Sequence, residues 1–373
     1  MSFFKALARP GAGRLIVLAM MAMLALAACG DDDDDSANGD ATEIVDVDGS
    51  PPEPTIESAG SPVEVEEADV TFVAGFKAQA NLPFVGVYVA QEQGYFEDEG
   101  LNVTIEHDTT GQGEAVRLLV AGEIEFTTAD AAVVMQRRSD PGLPLLAIAQ
   151  VGQRGQQGYA VKADSGIDSP EDWAGKVVGY KGAAAPPDLF AILAASGLTE
   201  DDIELVNIGF DPRVFVEGQV DVYPLFLSNE PFTIENRLAT PITVFEAADF
   251  EIPTLGLTYV TSEDFAAENP DVVRRFLRAV TRGMEWAEEN LDQAVEIVLI
   301  YGPEEDPELM RFMLEAELSA AREGAGGEGI GLFDEDRWLA LYEVLLEFGG
   351  LTEEIDPREA YDPSFISEVH AEE

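Results

Sequence analysis

Of 373 residues, 73 are acidic and 21 basic, a formal net charge of −52. That balance excludes a nucleic-acid partner, which needs clustered lysine and arginine to displace counterions. It speaks to solubility and surroundings more than to fold, and suggests a cell exposed to salt or an acidic proteome. A single cysteine excludes an internal disulfide, and two histidines leave little for thiol or metal chemistry.

The chain opens with Lys5, Arg9 and Arg14, an apolar run from Leu15 to Ala28, and small residues before Cys29. This is a secretory leader layout, and its 14 apolar residues fall short of the roughly 20 that span a bilayer. Leu26-Ala27-Ala28-Cys29 resembles a bacterial lipobox. That resemblance implies a signal peptide over 1–28 and a lipidated Cys29 as the first mature residue. The protein is then expected on the extracellular face of the cytoplasmic membrane, anchored by lipid. Loss of the leader's three basic side chains takes the charge from −52 to −55. Residues 30–69 hold fifteen acidic and no basic residues, interrupted by Pro51, Pro52, Pro54 and Pro62. Such a segment buries too little apolar surface to offset ordering entropy, so 29–69 reads as an extended acidic tether.

From Val70 the pattern alternates. Strands are expected at Val70–Ala74, Leu101–Glu106, Glu125–Thr128 and Leu145–Gln150. Helices are expected at Phe84–Gln93, Glu114–Ala121 and from Asp130 to Arg138, the first two stopped by Gly94 and Gly122. The alternation then repeats. Ser169, Pro170 and Asp172 form a helix start, followed by strands at Lys176–Tyr180, Ile203–Ile208 and Val220–Leu225 and helices at Pro187–Ser196 and Pro212–Val216. Short strands and helices in alternation imply parallel sheets with right-handed crossovers. The last third is helical, from Asn269-Pro270 through Leu291–Tyr301, Pro307–Ala321 and Asp334–Phe348. Val273, Phe276, Leu277, Val280, Met284 and Ala287 form one apolar stripe on the first of these helices.

Val89–Val103, reading VAQEQGYFEDEGLNV, resembles the A-x-x-x-G-Y-F-x-x-x-G-L-x-V block of solute-binding proteins for ABC importers, in the NMT1/THI5-like branch. Val120–Phe126, Ile167–Lys176, Glu217–Val222 and Asn229-Glu230-Pro231 resemble later blocks in the same order. The resemblance runs from about Val70 to Asn290. It implies an α/β, two-lobed periplasmic-binding-protein fold (type II), with mixed central sheets flanked by helices and a ligand cleft between the lobes. Lobe 1 is expected to comprise 70–160 and 259–373, lobe 2 to comprise 161–258, with hinges near Tyr159–Val161 and Leu257–Val260. The implied partners are a small-molecule ligand and a permease whose ATPase is on separate chains. The protein itself is expected to be a monomer that binds without catalysis, cofactor or metal. Pyrimidine-making enzymes of the superfamily use a histidine and cysteines; here there are only His107, at a strand end, and His370, in a polar tail.

Ligands of open α/β sheets sit beyond the carboxyl ends of the strands. In lobe 1 this rule selects Phe76, Gln79, Asn81, Phe84, Gln112, Asp130 and Gln153, with Gln156 nearby. In lobe 2 it selects Tyr180, Lys181, Phe210, Tyr223, Asn229 and Glu230, with Phe226 nearby and Tyr259 at the return crossover. Aromatic faces stack on planar rings, and neutral amides both donate and accept. Basic residues in these loops are few: Lys77, Arg154, Lys181 and Arg213. A mostly neutral, planar heteroaromatic ligand is therefore expected over a sulfonate, taurine or nitrate. The branch's pyrimidine binders usually carry a tryptophan after the first strand. None stands between Phe76 and Asn81, which tilts the expectation slightly to riboflavin over a thiamine pyrimidine precursor.

Overall fold

A computed structural model describes residues 66–109, 113–182 and 184–372, all within one compact unit, Pro62–Glu373. The leader, Cys29, most of the tether and Gln112 lie outside the described residues. Among the described residues, no helix is long and apolar enough to cross a membrane.

Among the described residues ten strands make up the sheets: β1 Ala68–Ala74, β2 Leu101–His107, β3 Phe126–Asp130, β4 Leu145–Gln150, β5 Gln157–Lys162, β6 Val177–Tyr180, β7 Glu204–Asn207, β8 Tyr223–Phe226, β9 Ile242–Glu246 and β10 Leu257–Ser262. The first sheet runs β2-β1-β3-β10-β4. Its β1 is parallel to β2 and β3, while β10 is antiparallel to both its neighbours. In the second lobe β5 pairs antiparallel with β8 and β9; the sheets are mixed, and the parallel pairing implied by alternation holds for β1, β2 and β3 and for β6 and β7. The parallel pair β6-β7 joins that group through a single parallel bridge, Val178 to Val222. Strand β1 starts at Ala68, inside the expected tether, because Ala68 already pairs with Leu101. Strand β8 starts three residues late, since Val220–Val222 meets β6 only at that bridge.

Around the first sheet lie α1 Leu82–Glu92, α2 Tyr95–Asp98, α3 Glu114–Val120 and α4 Ala131–Ser139. The second lobe carries α5 Pro187–Ala195, α6 Arg213–Val216 and α7 Glu230–Phe232. After β10 come α8 Glu263–Glu268, α9 Pro270–Glu289, α10 Leu291–Tyr301, α11 Pro307–Ala321, α12 Glu335–Glu347 and α13 Ser364–Glu372. The capping group at Ser169 starts a 3-10 turn, Pro170–Trp173, in place of an α-helix. His370 sits in α13 and meets the Ile330 carbonyl at 3.0 Å, so the tail is structured.

The apolar stripe of α9 is fully buried at all six expected positions. Phe276 stacks on Phe126 with ring centroids 4.0 Å apart. Helices α1 and α9 cross glycine to glycine: a methyl on Gly283 would lie 2.2 Å from the Gly86 carbonyl oxygen. Gly94 and Gly100 hold φ of 77° and 64°, the left-handed turns that this spacing requires.

The chain passes between the sheets twice, at residues 151–156 and 251–256. The expected hinges at Tyr159–Val161 and Leu257–Val260 are instead strand residues, held by full ladders. The two connections bind each other: Val151 and Gly152 donate to the Leu257 carbonyl at 3.1 and 2.9 Å, and Gly256 donates to Gly152 at 2.8 Å.

Gly283→Ala forces α1 off α9 and should cost about 1–3 kcal/mol, the usual penalty of overpacking. Urea unfolding checks this; an unchanged midpoint contradicts the close crossing.

Candidate ligand-binding site

The carboxyl ends of the second lobe's parallel strands converge. Lys181 follows β6, Phe210 follows β7, and Tyr223 and Phe226 belong to β8. The Lys181 ammonium lies 4.7 Å from the Tyr223 ring centroid, 5.3 Å from that of Phe226 and 5.5 Å from that of Phe210. Its side chain is buried and ion-paired to Glu230 Oε1. Burial pulls the lysine below its usual pKa, and Glu230 opposes that pull. The other Glu230 oxygen accepts the Phe226 N–H at 2.7 Å. Glu230 is thus committed within its own lobe. Asn229 donates its backbone N–H to the Phe226 carbonyl and caps α7, and Tyr180 is half-buried at the end of β6.

From the first lobe, Gln79 donates to Asn81 Oδ1 at 2.6 Å, and Asn81 donates to Glu317 Oε1 at 3.2 Å. Ser228 of the second lobe donates to the same oxygen at 3.1 Å. This relay crosses from one lobe to the other through α11. Burial, opposed by these donors, pushes Glu317 up to about 7. Glu317 was not among the expected site residues, although it stands as an acid on the apolar stripe of Met310, Met313, Leu314 and Leu318, all buried.

Between the lobes is a hollow of about 230 Å³. Asp130 and Gln136 line it from α4 and its start, Gln156 and Thr254 from the two connections, and Asp188 and Phe226 from the second lobe. Leu341, Val344 and Leu345 of α12 give it an apolar back. Water reaches Asp130, yet protein walls surround its carboxyl, and that desolvation lifts it to about 6. Burial also lifts Asp188 to about 6, against a hydrogen bond from Tyr159 at 3.0 Å. Both amide atoms of Gln156 are buried without a hydrogen-bond partner. Asp188 follows from the same strand-end rule one turn further on, in the first turn of α5.

Three expected contacts belong elsewhere. Phe84 is core on α1. Tyr259 is fully buried against Phe72 and Phe276 and donates to the Pro83 carbonyl at 2.6 Å. Both belong to the same apolar core of the first lobe, Phe84 from the buried face of α1 and Tyr259 from β10, whose alternation turns its ring inward. Gln153 is also fully buried, its amide nitrogen spent on the Gln150 and Leu332 carbonyls. Phe76 stays exposed at the end of β1.

A larger cavity, about 380 Å³, lies against the first lobe alone, between Arg138, Pro144, Glu263 and Ile355. It touches neither connection nor the second lobe, and its arginine is paired with Glu263 and Glu359. The hollow is the better candidate because both lobes build it. The four basic residues of the cleft loops are also spoken for. Lys77 pairs with Glu305, Arg154 with Glu246 and Glu323, Lys181 with Glu230, and Arg213 with Asp211. His107 meets the Tyr88 hydroxyl at 2.7 Å and does not line the hollow. Among the described residues no histidine, cysteine and carboxylate group is arranged to hold a metal.

The profile of the family described as NMT1/THI5 like matches residues 81–294, more than half of the chain. The chain belongs to this family. Among its relatives, a riboflavin-binding protein of Chloroflexus aurantiacus is 28% identical over 77% of this chain and 83% of its own length. A formylaminopyrimidine-binding protein of Halalkalibacterium halodurans is 29% identical over 62% of this chain and 71% of its own. The periplasmic aliphatic sulphonate-binding protein of Escherichia coli superposes with a TM-score of 0.62 at 13% identity, over 79% of this chain and 92% of its own. At that identity the likeness shows the fold, a periplasmic binding protein architecture of two α/β lobes.

Glu317 keeps its proton in the folded state down from about pH 7 and loses it, unfolded, near 4.5. Its stabilising contribution is therefore full below about pH 4.5, is lost as pH rises from there to about 7, and stays lost above. Glu317→Gln should raise stability at pH 8 by up to about 3 kcal/mol and change nothing at pH 4. Urea midpoints at the two pH values test this; equal shifts at both contradict it.

Proposed function

We propose that this family member is the lipid-anchored, extracytoplasmic binding component of an ABC importer. It captures a planar heteroaromatic vitamin or vitamin precursor between two closing lobes and hands it unchanged to a permease. One observation carries the reading. Gln156 and the half-exposed Phe226 both line the interlobe hollow, and both amide atoms of Gln156 are buried without a hydrogen-bond partner. A buried amide left unpaired is costly, and a heterocycle edge with one ring nitrogen and one amino or imide N–H satisfies both atoms at once. Phe226 supplies the stacking face. The hollow, about 230 Å³, is below the roughly 300–1,000 Å³ of ordinary ligand pockets. That size favours a single-ring pyrimidine over a three-ring flavin, which requires the lobes to part further. The paired state of the cleft's basic residues speaks against the sulfonate reading.

Ligand contacts to both lobes favour the closed state by differential affinity. Calorimetric titration with an aminopyrimidine, riboflavin and an alkanesulfonate tests the assignment. The heteroaromatics should bind, the pyrimidine more tightly, and Phe226→Ala should weaken them by about 1–3 kcal/mol. Sulfonate binding of equal strength, or indifference to Phe226→Ala, contradicts it. For the anchor, the full chain expressed in a lipoprotein-processing bacterium should partition into detergent and Cys29→Ser into the aqueous phase; identical partitioning contradicts lipidation.

A further inference from the structure

Three aromatic rings and a carboxylate surround one nitrogen in the second lobe, and that nitrogen belongs to the chain itself. The Lys181 ammonium is within 5.5 Å of the ring centroids of Phe210, Tyr223 and Phe226 and is paired to Glu230. Aromatic faces attract cations, and enclosure by several rings is the geometry that recognises alkylated ammonium groups. Two further observations mark the box as more than a packed lysine. Tyr223 is fully buried, yet its hydroxyl has no hydrogen-bond partner. Phe210 is 69% and Phe226 40% exposed, so the box opens to solvent on two of its walls. Phe226 is shared: it is a wall of the box and of the interlobe hollow.

We propose that the Phe210–Tyr223–Phe226 box, closed by Glu230, is a subsite for an alkylammonium arm on the captured ring, and that Lys181 is its built-in occupant when no ligand is bound. An arm reaching past Phe226 from the hollow takes the place of the lysine ammonium. The lysine moves to water on its flexible four-carbon stem, and Glu230 keeps a cationic partner throughout. An intramolecular occupant lowers the apparent affinity of its competitor by the fraction of time it fills the site, so removing it tightens binding. The ring-bearing part of this subsite rests on the ligand reading of the hollow; the cation box itself does not.

Tetramethylammonium chloride, titrated by calorimetry against the full chain at constant ionic strength, tests the box without any ring. Lys181→Ala should bind the cation about tenfold more tightly than the wild type, and Lys181→Ala with Glu230→Gln should lose that gain. Equal binding by Lys181→Ala and the wild type overturns the proposal. Should Lys181→Ala fail to fold, the wild type decides: acetylation of Lys181 by acetic anhydride, followed by mass spectrometry, should accelerate in tetramethylammonium relative to equal sodium chloride. An unchanged rate overturns the proposal. Aminopyrimidine binding in the same preparation separates the two readings. Binding of the ring without the cation sinks the box alone, and binding of the cation without the ring sinks the assignment of the hollow alone.

Discussion

The backbone clasp between the two interlobe connections is the constraint on which the rest depends. Gly256 donates to Gly152, Val151 and Gly152 donate to Leu257, and Ala131 at the start of α4 donates to Gly256. A methyl on Gly152 would stand 2.9 Å from the Gly256 Cα, so the connections approach this closely only because both residues are glycine. The clasp fixes one point about which two sheets meet. It also delivers Asp130, Gln156 and Thr254 to the same gap. Because both lobes point the carboxyl ends of their parallel strands toward that gap, loops distant in sequence become neighbours.

Electrostatics then sets the character of the gap. Asp130, Asp188 and Glu317 are all lifted from the ordinary carboxyl range by desolvation, the response of acids set against low-dielectric protein walls. Each basic residue of the cleft loops already has an acidic partner. An anion entering this gap meets no uncommitted cation among those residues, whereas a neutral ring meets an orphaned amide and a phenylalanine face. The likeness to a sulfonate binder shows the fold alone; the ligand depends on side chains at strand ends.

Sequence made the regular parts legible where a residue's role is local. The six-residue stripe of α9 and the turn glycines Gly94 and Gly100 report helix burial and backbone conformation directly, and each stands where its spacing requires. Residues whose role depends on sheet pairing were harder. Tyr259 stands next to the return connection in sequence, yet β10 enters the middle of the first sheet and turns the ring into the core. The hinge positions were displaced for the same reason, since β5 and β10 extend their ladders to the edge of the gap. Glu230 has the strand-end position expected of a ligand contact, but Lys181, 49 residues away, already holds it. Glu317 escaped notice because it lies on a helix far down the chain, and only packing brings it to Asn81 and Ser228.

The most direct measurement is a crystal structure of the chain with a bound aminopyrimidine. The account predicts the ring in the interlobe hollow, flat against Phe226, its edge hydrogen-bonded to both amide atoms of Gln156. A ring seated in the first-lobe cavity between Arg138 and Glu263, or touching one lobe only, would contradict it.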